Sequence, residues 1–137
     1  NGKTIAVLGT PLDDCFPPKN RALQDRIMRE QLAVSQFAPG TAVSKGNFPQ
    51  RNRTMALVSH ASIIVEAGDT SGSLHHGWET LRLGRPLIIL PAVAENTALT
   101  WPAKMVQYGA AVLPIARLGE VLELLPSPAE LGMDVAL

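Results

Sequence analysis

The sequence predicts an α/β fold: an open, mainly parallel sheet of about five strands with helices on both faces. Three observations predict it. Short, near-continuous apolar runs recur at 4–9, 62–67 and 86–91, as strands buried on both faces do. Longer amphipathic segments separate them, and glycine and proline punctuate the joins. In such a sheet, right-handed crossovers gather the strand-to-helix loops along one edge, where ligands bind.

The elements follow in order. Thr4-Ile5-Ala6-Val7-Leu8-Gly9 is a buried strand, and about Asn20 to Gln31 a helix with Leu23, Ile27 and Met28 near one face. Leu32–Phe37 is a weaker strand. Residues 38–48, with Pro39, Gly40, Gly46 and Asn47, form a loop. Pro49 suits the first position of a helix running to about Ser59. Ser62–Ala67 is a strand and Ser71–Leu83 a helix stopped by Gly84. Pro86–Pro91 is a strand rimmed by prolines, 97–108 a helix, Ala110–Leu113 a short strand and 117–125 a terminal helix. The expected organisation is one domain over 1–125, with 126–137, opening on Pro126-Ser127-Pro128, as a tail or the start of a linker.

Composition narrows the function classes. A chain of 137 residues with 46% hydrophobic side chains is long enough for a real core, and no apolar run reaches the roughly 20 residues of a spanning helix. The opening Asn1-Gly2-Lys3 carries neither an initiator methionine nor a signal-peptide pattern, which reads as a chain cut from something longer. Cys15 is the single cysteine, so an internal disulfide and a cysteine metal cage are excluded. It reads as a small packing residue and fits a reducing cytoplasm, the expected location. Net charge is zero but uneven. Residues 1–53 hold eight Lys/Arg and four acids; the remainder holds four basic and eight acidic residues. Segment 45–53 has Lys45, Arg51 and Arg53 and no acid. That polarity suits a local polyanion site, or a solvated surface.

Phe48-Pro49-Gln50-Arg51-Asn52-Arg53 places two arginines in the first turn of a helix, against the macrodipole unless an anion is near. Val65-Glu66-Ala67 leads through Gly68-Asp69-Thr70 into Ser71-Gly72-Ser73 at the start of the next helix. Unpartnered N–H groups there form an anion cradle. The two features read together as a phosphate-binding edge.

The ordered blocks resemble a family. Thr4–Gly9 with Leu12-Asp13, Phe16-Pro17-Pro18 and Asn20 is similar to one block of DNA-processing protein A, the DprA/Smf family. Gly46-Asn47-Phe48-Pro49 with Arg51-Asn52-Arg53, then Val65-Glu66-Ala67 with Ser71-Gly72-Ser73-Leu74, resemble two more. Gly84-Arg85 before a strand ending in Pro91 resembles a fourth. The resemblance implies the C-terminal part of a Rossmann-like domain, lacking the family's earlier strands and their Gly-Ser/Thr-Arg loop. It implies binding of single-stranded DNA, transfer to the RecA recombinase in DNA uptake and natural transformation, a homodimer, and no membrane partner. It implies no established catalytic step; no cofactor and no metal are expected. The chain departs from the family pattern at His75-His76-Gly77 and at Ala92.

On that resemblance the DNA- or phosphate-binding residues are Gly9, Phe16, Lys45, Asn47, Phe48, Arg51, Asn52, Arg53, Ser71, Gly72 and Ser73, with Glu66 orienting an arginine or the loop. Blander readings stand beside these. Arg51 and Arg53 are exposed charges or pair with Glu66, and Phe48 is a hydrophobic staple under the helix start rather than a stacking platform. Ser71, Gly72 and Ser73 cap their helix in either case. His75 and Glu79 lie one helical turn apart but lack a third ligand, and Trp78 and Trp101 pack in the core or at an interface. Two other functions compete. A LOG-type phosphoribohydrolase needs a glutamate where His76 stands, and a nucleotide-sensing domain would bind a small phosphorylated ligand without turnover.

Overall fold

The computed structural model describes residues 2–125, so the expected tail at 126–137 lies outside the described residues. The chain divides into two compact units, Asn1–Val58 and Ser59–Leu137. The first contains β1 (Ile5–Leu8), α1 (Arg21–Glu30), β2 (Leu32–Ser35) and α2 (Asn47–Val58), with a 3₁₀ turn at Pro18–Asn20. The second contains β3 (Ser62–Ile64), α3 (Ser73–Arg82), β4 (Leu87–Ile89), α4 (Pro91–Ala94), α5 (Trp101–Gln107) and β5 (Ala111–Val112), then a 3₁₀ segment, Ile115–Leu124. No helix among the described residues is long and apolar enough to cross a membrane.

All strand pairings are parallel, and the five expected strands are present. They form two sheets, β1-β2 and β3-β4-β5, rather than one. Each pairing joins strands consecutive in sequence, with helical crossovers between them. In the first unit Ile5 pairs with Leu32 and Leu8 with Ser35. Helix α1 packs on both strands and α2 packs on β1. In the second, Ser62–Ile64 align with Leu87–Ile89, and Ile88-Ile89 with Ala111-Val112.

The second unit holds a close-packed core. Ile64, Leu87, Ile89, Val93, Trp101 and Met105 form one buried cluster, with Leu74, Trp78 and Leu81 packed against it. The Trp101 indole N–H donates to the Ala67 carbonyl at 3.2 Å, and Trp78 meets Tyr108 edge-on, ring centroids 5.5 Å apart. Gly77 lets α3 approach closely: a Cβ there would stand 3.1 Å from Ile64 Cδ1 and from Met105 Cε. The predicted Gly84 stop is built as a Schellman ending. Gly84 has φ +66°, its N–H donates to Leu81 O, and the Arg85 N–H donates to Thr80 O. Gly109, φ +104°, ends α5 in the same way, through Val106 O and Met105 O.

One buried polar chain crosses this unit. Thr80 Oγ1 donates to the His76 carbonyl at 2.9 Å, so the Ser62 hydroxyl donates to Thr80 Oγ1 at 3.0 Å. Ser62 Oγ is then left to accept from His76 Nε2–H at 2.7 Å. This ordering assigns the ring proton to Nε2.

Several boundaries differ from expectation. Helix α2 begins at Asn47, not Pro49. Pro49 is tolerated at the third position because the first four helical N–H groups have no partner within the helix anyway. α4 is a separate turn that Pro91 opens and Ala94 ends, and the expected 97–108 helix is confined to Trp101–Gln107. The terminal helix is a 3₁₀ segment beginning at Ile115.

Candidate functional site

In the first unit, the loop after β1 and the start of α2 enclose a cavity of about 330 Å³. Gly9, Phe16, Phe48 and Arg51, four residues singled out from the sequence, line it together. The Phe16 and Phe48 ring centroids are 5.6 Å apart with planes tilted by 49°. This is a favourable aromatic contact, yet Phe16 stays 57% exposed. Gly9 is required beneath it: a Cβ would stand 2.8 Å from Phe48 Cδ1. Phe48 therefore lies inside α2, over Gly9, and not one residue before the helix as a staple would.

The loop is braced by its own polar groups. Gln24, buried on α1, donates from Nε2 to Leu12 O at 3.2 Å and Asp14 O at 2.7 Å. Thr10 Oγ1 donates to Asp14 O, and Ser35 Oγ on β2 donates to Thr10 O at 2.6 Å. Asp14 Oδ1 accepts the Cys15 N–H, and Cys15 is buried, as its packing role requires. The Phe16–Pro17 peptide is cis. These bonds fix the platform that presents Phe16. Sequence reasoning missed Gln24, Thr10 and Ser35; the available signal was a glutamine beside Leu23 and Ile27 on an apolar helix face.

The expectation that Arg51 and Arg53 occupy the first helical turn is corrected. With Asn47 as the first residue of α2 they lie in its second turn, where the macrodipole effect has fallen away. Arg51 is half-buried on the cavity wall. Its Nη1 donates to the Val7 carbonyl at 3.2 Å and its Nε to Asn52 Oδ1 at 2.9 Å. Those bonds use two of the five guanidinium donors. Burial lowers its pKa from the ordinary arginine value. Arg53 and Lys45 are exposed. Asn47 is 6% exposed; its Oδ1 accepts from Ser44 Oγ at 2.7 Å, while its amide nitrogen has no partner among the described residues.

The second unit carries Glu66, Ser71, Gly72 and Ser73. The expected cradle at α3 is filled by the chain's own turn. The Ser73 N–H donates to Ser71 Oγ at 3.3 Å, Leu74 N–H to Ser71 O and His75 N–H to Gly72 O. An ST-type turn satisfies donors that sequence reasoning left unpartnered. Ser71 and not Gly72 supplies the capping oxygen, because glycine at the N-cap has no side chain. Glu66 is exposed. Among the described residues no three His, Cys, Asp or Glu side chains are placed to hold one metal ion.

Asp69, in the same turn, ties down the start of α5. Its Oδ1 accepts both the Thr100 N–H and the Thr100 hydroxyl at 2.9 Å. The backbone bond from Thr100 first, then its hydroxyl, holds the carboxyl below the ordinary carboxylate value.

Residues 1–126 match the family described as DNA recombination-mediator protein A. Protein Smf of Synechocystis sp. is 32% identical over 96% of this chain and 36% of its own length. DNA processing protein DprA of Streptococcus pneumoniae is 41% identical over 66% of this chain and 32% of its own. The solved structure of that pneumococcal protein superposes with a TM-score of 0.77 at 33% identity, covering 92% of this chain and 44% of the other. DNA processing protein A from Helicobacter pylori, whose structure concerns its single-stranded DNA binding mode, shares the fold with a TM-score of 0.72 at 23% identity, over 88% of this chain and 55% of that one. The chain thus spans about a third of the length of these curated relatives.

Proposed function

This chain belongs to the DNA recombination-mediator protein A family, and on that footing we propose that it binds single-stranded DNA without turnover, through the aromatic cavity of its first unit. In this reading Phe16 and Phe48 stack bases, Arg51 meets a phosphate with its remaining donors, and Lys45, Arg53, Asn47 and Asn52 complete the contact. The bound strand is protected and passed to a RecA-type recombinase during DNA uptake, by a protein acting as a homodimer. Residues 1–125 work as one Rossmann-like domain, and Ser71, Gly72 and Ser73 contact the strand only after opening their turn.

The observation that carries the reading is the Phe16–Phe48 pair standing in one cavity with Arg51. Base–aromatic stacking is worth about 1–3 kcal/mol per base and tolerates any sequence. A cation beside it supplies the salt-dependent phosphate contribution. Electrophoretic retardation of oligo-dT at several salt concentrations tests this. Phe16→Ala, at an exposed position, is expected to weaken binding by about 1–3 kcal/mol, while stability falls by no more than the loss of one aromatic contact, about 1 kcal/mol. No retardation at low salt, or full affinity in Phe16→Ala, overturns it.

A further inference from the structure

We propose that the second unit carries a guanine-reading pocket, in which the Glu66 carboxylate accepts the two adjacent N–H donors of the base and the Asn96 amide donates to its carbonyl. A cavity of about 380 Å³ opens at the carboxyl edge of β3, within the 300–1,000 Å³ range of small-ligand sites. Strand ends of parallel sheets are where such ligands bind. Its apolar lining comes from Val65, Val93 and Leu99; its polar side chains are Glu66 and Asn96.

The chemistry of these two groups selects the ligand. Neither lysine nor arginine lines the cavity, so a phosphate there would meet the repelling Glu66 carboxylate with no cation to offset it. A metal ion would find a single carboxylate, and no three-residue ligand group exists among the described residues. Asn96 is oriented by the chain itself. Its Oδ1 accepts the Ala98 N–H at 3.0 Å, its own N–H donates to Val93 O and its carbonyl accepts the Leu99 N–H. With Oδ1 committed, the amide offers N–H donors to a ligand.

The site therefore presents a two-oxygen acceptor, a donor and apolar walls. A lone cation would satisfy the carboxylate but leave the donor and the walls idle. Among the bases, only guanine sets two adjacent donors, N1–H and N2–H, beside a carbonyl acceptor, O6. On their pairing edges adenine and cytosine offer a carboxylate one exocyclic amino group beside a ring-nitrogen acceptor, and thymine one N3–H between two carbonyls, so each sets a repelling acceptor where guanine sets its second donor. The pocket is lined by residues of the second unit alone.

Calorimetric titration of the 137-residue protein with guanosine, adenosine, cytidine and thymidine tests it. Guanosine is expected to bind at least about tenfold more tightly than the others, and Glu66→Gln to remove that preference, because an amide can accept only one of the two donors. A parallel titration compares twelve-residue oligo-dT with the same strand bearing one dG. A gain from dG identifies a base within a strand as the source; a preference confined to free guanosine identifies a free nucleoside. Equal binding of the four nucleosides, no binding of any, or a preference that survives Glu66→Gln overturns the pocket. Loss of oligo-dT binding with guanosine preference intact overturns only the reading of the first unit.

Discussion

In the second unit Leu87, Ile88 and Ile89 of β4 are 1%, 1% and 0% exposed, whereas in the first unit Ile5 and Leu32, partners across the β1-β2 register, are 60% and 51% exposed. Both sheets are parallel and apolar in sequence, but only the three-stranded one has a central strand, and it is that strand that is sealed. Its edge strands still expose Ile63 and Val112 at 43% and 39%. The second unit flanks β4 with β3 and β5 and covers it with α3 and the buried cluster that includes Trp101 and Met105 of α5, so its apolar area is withdrawn from water and stabilises the fold. The first has two strands and two helices. It keeps its loop in place with side-chain-to-backbone bonds from Gln24, Thr10 and Ser35 rather than with a deep core. The buried hydrophobic cluster lies in the second unit. The Phe16–Phe48 pair proposed above as the stacking surface lies in the first.

The largest expected effect probes that contrast directly. Met105, fully buried beneath Gly77, contacts the centre of the second unit's core, and Met105→Ala is expected to cost about 3 kcal/mol. Ile5→Thr in β1 removes a side chain that is mostly in water, so its cost is expected to stay within about 0.5 kcal/mol. Chemical denaturation midpoints compare the two. Equal losses would show that the first unit's apolar residues are buried in the folded protein in solution, and the contrast would be gone.

A second test sharpens the difference using two glycines. Gly9→Ala forces the Phe48 ring to move, because the new Cβ would stand 2.8 Å from Cδ1. Oligo-dT affinity is expected to fall about three- to tenfold, roughly 0.6–1.4 kcal/mol. A Cβ at Gly72 meets nothing within 4 Å, and this residue already has φ −60°. Gly72→Ala is expected to change affinity less than about twofold and to stabilise slightly, by at most about 1 kcal/mol, because alanine adopts this backbone conformation without strain. A large affinity loss in Gly72→Ala alone would restore the α3 turn as the phosphate cradle and demote the aromatic cavity.

The strands were legible in the sequence because apolar runs such as 4–9 and 86–91 have no other economical reading, and Gly84 announced its helix stop. The four clustered site residues were also visible as types: a glycine after a strand, two phenylalanines beside prolines, an arginine in an acid-free segment. Three things were hidden. Asn47 starts α2 two residues before the proline that seemed to mark its beginning, since proline is harmless anywhere in the first turn. The α3 N–H groups are consumed by Ser71 Oγ and two carbonyls, and a sequence does not say whether a Ser-Gly-Ser turn serves a ligand or itself. Asp69 reaches Thr100 across 31 residues, beyond any local pattern.

The smallest expected effect concerns that last contact. Because the native state holds the Asp69 carboxyl below its ordinary value, the ionised form is favoured by folding. Its contribution is complete above the unfolded carboxylate pKa of about 3.9 and disappears as pH falls through the lower folded value. The stability difference between the protein and its Asp69→Ala variant should therefore be constant from neutral pH to about 5 and shrink toward pH 3. The difference should be modest, since solvent screens this exposed group. Oligo-dT binding by the first unit should be the same in the protein and Asp69→Ala, because Arg51 remains charged throughout that range. Parallel stability curves down to pH 3 would mean that Thr100 holds the start of α5 without the carboxylate, leaving burial of Trp101 and Met105 as what anchors this helix.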